Sequence, residues 1–261
     1  PFEGRILHAD AGGRILVHSP VRLSPDALAV VRAADFCGIE GADFHGRVVG
    51  LRKAARPPGW LLTISTVRRR GSRRVLSALA EALQVPVAHT LMGKGSLRED
   101  HPLLVGMTGF WGTPIANEMC RNADVILAVG TRLAEANSSS WDPRFTFAIP
   151  PTRLIHIDID PAEIGRNFPT ELGVVADAKN ALGMIAMAAR GCKHRERGNL
   201  REKIAQGRQA FAANWAAQWS SDQYPLRPER ILSEVRQALP ADGFLVTDVG
   251  WNKNEIGRAH V

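Results

Sequence analysis

Between Val85 and Asp177 the chain carries short β-branched runs that stop on a Gly or an Asp: VILAVG at Gly130, RLIHIDID at Asp158 and Asp160, and VVAD at Asp177. Each run is followed by a segment that can be a helix, the signature of a parallel sheet whose strand ends open into ligand-binding loops. Val125 to Val129 is apolar without alternation, as a strand buried on both faces requires. Arg153 to Ile159 reads as a second strand and VPVAH, Val85 to His89, as a third. Helices are predicted ahead of and between them. Val75, Leu76, Leu79, Ala82 and Leu83 fall at helical spacing, and Gly112 to Ala123 places Ile115, Met119 and Cys120 on one stripe. Asp160 is an expected N-cap with Pro161 and Glu163 in the first turn of a further helix, and Ala178 to Ala189 is an apolar helix.

The pattern divides the chain. Residues 1–74 are poorly patterned: GRIL occurs at Gly4 to Leu7 and again at Gly13 to Leu16, Trp60 to Val67 resembles a strand, and Ser24 to Ala34 is the best helix candidate. Residues 75–190 form the expected α/β domain. Residues 191–226 are charged and then helical, with Ile204, Phe211, Trp215 and Trp219 on one side, as in a connector. A second α/β unit opens in 227–261, with a helix from Pro228 to Leu239 and a strand from Gly243 to Thr247 leading into Asp248, Val249 and Gly250.

Composition removes several classes of protein. The chain of 261 residues has no run of about 18 apolar residues, and its first residues show no signal-peptide pattern, so neither a membrane span nor export is expected and the reading is cytoplasmic. Cys37, Cys120 and Cys192 are odd in number and widely spaced, which indicates neither a disulfide framework nor a zinc site. The net charge of +7 is uneven: residues 1–74 hold 13 Lys and Arg against 6 Asp and Glu, and the remainder is balanced. The densest cluster, Arg68, Arg69, Arg70, Arg73 and Arg74, has no interleaved aromatics. It reads as a solvated face, and nucleic acid is not an expected partner.

The strand ends carry the chemistry. A carboxylate there can accept hydrogen bonds from ribose hydroxyls, and a glycine lets the backbone approach a phosphate. Asp158, Asp160, Gly130 and Arg132, whose guanidinium suits a phosphate or a ring face, are therefore candidate nucleotide contacts. Each has a structural alternative. Asp158 could instead cap neighbouring backbone, Gly130 could be a plain turn, and Gly109 and Gly112 around Phe110 and Trp111 could be a helix-entry turn with two packed aromatics.

TLMGKG, EDHPL, GMTGFWGT with Asn117, ADVILAVGTR, HIDIDPAEIGRN and VVADAK follow in this order. Together they resemble the central domain of thiamine diphosphate-dependent enzymes, in particular the acetolactate synthase large subunit. LPADGFLVTDVGWNKN is similar to the opening of that family's diphosphate-binding domain. The resemblance spans roughly Val75 to Asn254 and implies a doubly wound parallel α/β sheet, Rossmann-like, followed by the truncated start of a second α/β domain. It further implies FAD, another adenine nucleotide or no ligand in the central domain. The matching positions are Thr90, Leu91, Met92, Gly109, Trp111, Gly112, Asn117, Gly130, Arg132, Asp158, Ile159, Asp160 and Asp177. Gly250, Trp251 and Asn252 would lie near thiamine diphosphate. The segment Gly130 to Ala136 departs from the family's GTRFxDR-like pattern, lacking its second arginine and the paired acid.

The family's glutamate that assists ylid formation, and the GDG and Asn motif that holds Mg2+, match nothing here, so no catalytic residue or metal ligand is assigned and the chain alone is expected to be inactive. The intact enzyme implied is a lyase or transferase. It would decarboxylate a 2-keto acid such as pyruvate, join the product to an acceptor, and assemble as a homodimer or homotetramer. A stand-alone adenine-nucleotide module without catalysis is the alternative. Two segments invite a genetic reading. Residues 4–74 are Arg-rich and lack family motifs, as a shifted reading frame in GC-rich DNA would be, and EIGRAHV at 255–261 back-translates to a common sequencing adapter, so the native match is expected to end at Asn254.

Overall fold

A computed structural model describes residues 6–9, 15–17, 60–64, 72–189, 198–240, 243, 245–248 and 250–258. The Ser24 to Ala34 helix, Arg68 to Arg70, Cys37 and Cys192 lie outside the described residues.

The apolar runs pair side by side. In chain order the strands are β1 (Ile6–Ala9), β2 (Ile15–Val17), β3 (Trp60–Ile64), β4 (Val87–His89), β5 (Leu104–Met107), β6 (Val125–Val129), β7 (Arg153–Asp158) and β8 (Leu172–Val175). They form one sheet in the order β2-β1-β8-β7-β6-β3-β4-β5. The six strands from β8 to β5 are mutually parallel. β1 joins β8 in parallel, and the two GRIL segments supply β1 and β2 as an antiparallel pair, Leu7 opposite Val17. Every residue of β6 is buried, as its unbroken apolar run predicts.

Helices flank this sheet in a doubly wound α/β fold. They are α1 (Ser72–Leu83), α2 (Pro114–Arg121), α3 (Glu135–Ser138), α4 (Ala178–Ala189), α5 (Leu200–Trp219), α6 (Pro228–Ala238) and α7 (Trp251–Arg258). α1 packs against α4, and α2 against α5. Leu76, Leu79, Ile115 and Cys120 are buried as their spacing requires, and burial raises the Cys120 thiol pKa, leaving it an inert apolar side chain.

Several boundaries differ from the sequence reading. β4 begins at Val87 because Pro86 has no N–H to donate, while the Val85 N–H donates to the Ala80 carbonyl at 3.1 Å and closes α1. α2 begins at Pro114, since Gly112 belongs to a turn and the Thr113 hydroxyl caps the Ala116 N–H. β7 stops at Asp158. No helix follows Pro161: Asp160 accepts from the Ala162 N–H at 2.9 Å, but the chain continues as turns through Gly165, whose φ of +73° no helix tolerates. Of the strand expected at Gly243 to Thr247, the described residues Gly243 and Leu245 to Thr247 are in no strand. Leu245 and Val246 are exposed, and among the described residues no neighbouring strand offers the ladder that a parallel strand needs.

Candidate functional site

A parallel sheet collects the carboxyl ends of its strands on one edge, and that edge holds the residues the sequence singled out. β3 and β6 are neighbours, but the chain winds away from them in opposite directions, through β4 to β5 and through β7 to β8. This is a topological switch point, where open α/β sheets bind ligands. Five loops leave the edge: Thr90 to Gly93 after β4, Thr108 to Gly112 after β5, Gly130 to Leu133 after β6, Asp158 to Asp160 after β7, and Ala176 with Asp177 after β8. α7, which opens with Trp251 and Asn252, packs against β5 and the Leu91–Gly93 turn.

The loop after β5 is tightly built. Gly109 has φ +96°, and a Cβ there would stand 2.2 Å from the Ala136 carbonyl oxygen; one at Gly112 would stand 2.6 Å from that of Met107. Only bare α-carbons fit. The Gly109 N–H donates to Asn117 Oδ1 at 2.9 Å and Asn117 Nδ2 returns a bond to the Gly109 carbonyl at 3.0 Å, so Asn117 clasps the loop. Thr146 donates to the same Oδ1 at 3.1 Å. Phe110 stands out into solvent, and its ring meets Trp111 edge to face. The segment enters α2 as a turn clasped by Asn117, while Phe110, packed in the structural alternative, is exposed.

The other loops divide similarly. Thr90 is buried, its hydroxyl accepting the Gly93 N–H at 3.2 Å, while Met92 projects outward. Gly130 has φ +59° and donates to the Ile157 carbonyl at 2.8 Å. Arg132 is exposed at its guanidinium, 3.5 Å from Glu163, and its carbonyl accepts from Asn167 at 2.8 Å. Asp158 Oδ1 accepts the Asp160 N–H at 3.0 Å, Ile159 is exposed, and Asp177 Oδ1 accepts the Asn180 N–H at 3.1 Å as the cap of α4. Gly250 closes on Asn252, whose Oδ1 a Cβ would meet at 2.7 Å, and Trp251 is exposed.

Sequence reasoning missed four participants. Glu163 is a buried carboxylate shared by Arg132 and, at 3.1 Å, by Arg166. His156, buried in β7, contacts the Thr131 carbonyl at 2.8 Å. Thr63, in β3 beside the switch point, and Thr108, after β5, are buried, and among the described residues their hydroxyls, like Trp111 Nε1, have no hydrogen-bond partner. Period-2 alternation would have placed His156 and Asp158 on one face, but a histidine or threonine inside an apolar run reads as core.

Buried polar groups are ordinarily satisfied, so three orphaned donors beside glycine turns, an exposed guanidinium and protruding apolar side chains fit a ligand with both polar and ring surfaces.

The sequence model for the thiamine pyrophosphate enzyme central domain matches residues 48–185. The chain is 35% identical over 196 residues to the probable acetolactate synthase large subunit of Methanocaldococcus jannaschii, covering 73% of this chain and 32% of that protein. It is 35% identical over 184 residues to the acetolactate synthase large subunit of Parasynechococcus marenigrum, covering 67% and 27%. It is 30% identical over 177 residues to the glyoxylate carboligase of Escherichia coli O157:H7, covering 67% and 29%. Fold and site thus define a doubly wound α/β protein with a switch-point edge. The chain belongs to the thiamine pyrophosphate enzyme central-domain family, and it spans about a third of the length of the first of these relatives.

Proposed function

We propose that this chain is the central part of an acetolactate synthase-like enzyme, a lyase or transferase that decarboxylates a 2-keto acid and joins the product to an acceptor. Its part is to hold an adenine nucleotide, FAD or a simpler one, at the carboxyl edge of the sheet. The observation that supports this is the set of orphaned buried donors along that edge, Thr63 Oγ1 beside the switch point and Thr108 Oγ1 and Trp111 Nε1 in the loop after β5. Arg132 would meet the phosphates, and Asp158 and Asp160 the ribose hydroxyls. Thr90, Leu91, Met92, Ile159 and Trp111 would line the rest, with Gly109, Gly112 and Asn117 shaping the turn and Asp177 capping α4 at the end of the β8 loop.

Thiamine diphosphate, when bound with Mg2+ in the intact protein, supplies the carbanion chemistry. Gly250, Trp251 and Asn252 would contact its diphosphate, and this chain's own residues supply binding and orientation. We further propose a cytoplasmic homodimer or homotetramer; among the described residues no helix is long and apolar enough to cross a membrane. Calorimetric titration with FAD and with ADP tests the reading. Saturable binding of either, lost on Arg132→Ala, is expected, and absence of heat with both overturns the nucleotide role.

A further inference from the structure

His156 sits mid-strand in β7, opposite Ala128 of β6 on one side and Gly173 of β8 on the other. Two small neighbours leave an imidazole room to lie along the sheet. Its Nε2 is 2.8 Å from the Thr131 carbonyl oxygen, and a carbonyl only accepts, so Nε2 carries the proton and Nδ1 is bare. Nδ1 is buried and has no hydrogen-bond partner among the described residues. Burial lowers the pKa of the ring, against the opposing influence of the bond to the Thr131 carbonyl and of the nearby Asp158 and Glu163 carboxylates, so the neutral form is the one that fits.

The bond lands on the loop from Gly130 to Leu133, which needs holding. Gly130 and Leu133 both have positive φ, +59° and +47°, and the latter is strained in a γ-branched residue. β7 grips this loop twice, through the Ile157 carbonyl accepting the Gly130 N–H at 2.8 Å and through the imidazole. Within the loop Thr131 Oγ1 accepts the Leu133 N–H at 3.3 Å, and beyond it Asn167 holds the Arg132 carbonyl. The backbone on both sides of Arg132 is thereby tied down, while its guanidinium stays exposed.

We propose that His156 is a positioning residue: its Nε2–H bond to the Thr131 carbonyl fixes the strained loop and so sets where Arg132 presents its guanidinium to an anionic ligand. The ligand half rests on the nucleotide reading above; the loop half does not. Three measurements on the full chain separate them. Amide hydrogen exchange at Arg132 to Ala134 is expected to accelerate at least tenfold in His156→Leu and to stay within threefold of the parent in His156→Gln, whose amide can still donate. ADP and FAD affinity are expected to fall about tenfold in His156→Leu and to recover in His156→Gln.

Exchange in His156→Leu within threefold of the parent overturns the proposal, as does a His156→Gln variant as impaired as His156→Leu. If neither nucleotide binds the parent, the nucleotide reading fails while the exchange comparison still decides the loop. If His156→Leu does not fold, nitrogen NMR of the parent decides: a protonated Nε2 and a pyridine-like Nδ1 are expected, and the reversed tautomer overturns the bond.

Discussion

The strand-end aspartates show how far single residues can be read without coordinates. Their type and position pointed to a sugar-binding carboxylate, and Asp158 does close its strand at the carboxyl edge, as the end of the β-branched run required. Their partners were illegible, because an Asx bond to a residue two positions on depends on the local turn. Both roles are measurable in one variant. Asp158→Ala is expected to raise the Kd for ADP about tenfold, ~1.4 kcal/mol, and to cost about 1 kcal/mol of stability through the lost bond to the Asp160 N–H. A stability loss with unchanged affinity would make Asp158 a cap alone. His156 gives a pH prediction. Its pKa is lowered on folding from 6.5 by burial, so below 6.5 the unfolded chain takes up a proton that the folded ring resists, and stability falls as the pH drops through that window. Thermal midpoints of the parent between pH 5 and 7 are expected to decline more steeply than those of His156→Gln; parallel curves would contradict it.

At the level of elements, periodicity located the strands β3, β4, β6 and β7 and the helices α1, α2, α4, α5 and α6, while boundaries were set by chemistry it does not register. β5 was not singled out: its run is cut by Gly106 at φ +106°, where the register against β4 jumps between Val87 and Ala88. The connector was legible as a helix but its docking was not. α5 lies close enough to α2 that a Cβ on Gly207 would be 2.7 Å from Ile115 Cγ1, and Arg208 reaches from the same turn to the carbonyls of His101 and Leu104. Lys203 adds an ion pair with Glu118 at 2.7 Å. Gly207→Ala gains up to about 1 kcal/mol of helix propensity, but a β-branched neighbour cannot yield, and overpacking costs about 1–3 kcal/mol. Net destabilisation is therefore expected in urea denaturation; a stabilised variant would show that the two helices can separate without cost.

Across the whole molecule, the sheet draws on both the strongly and the weakly patterned parts of the chain. β3 lies inside it beside the switch point although the sequence around it carries few cues, since an interior strand is recognised by what pairs with it on each side, Val87 and Val125 among them. At the other end the β1–β2 pair covers the outer edge of β8. An uncovered parallel edge offers a row of unpaired backbone groups to any other chain. Removing residues 1–17 is therefore expected to increase self-association, seen by sedimentation, and a distribution unchanged from the full chain would show the edge to be protected otherwise. That pairing also imposes an order in time. β8 is made only after the intervening strands of the sheet, so β1 has β2 to pair with at once but must hold its other edge open until the last of these strands has been synthesised.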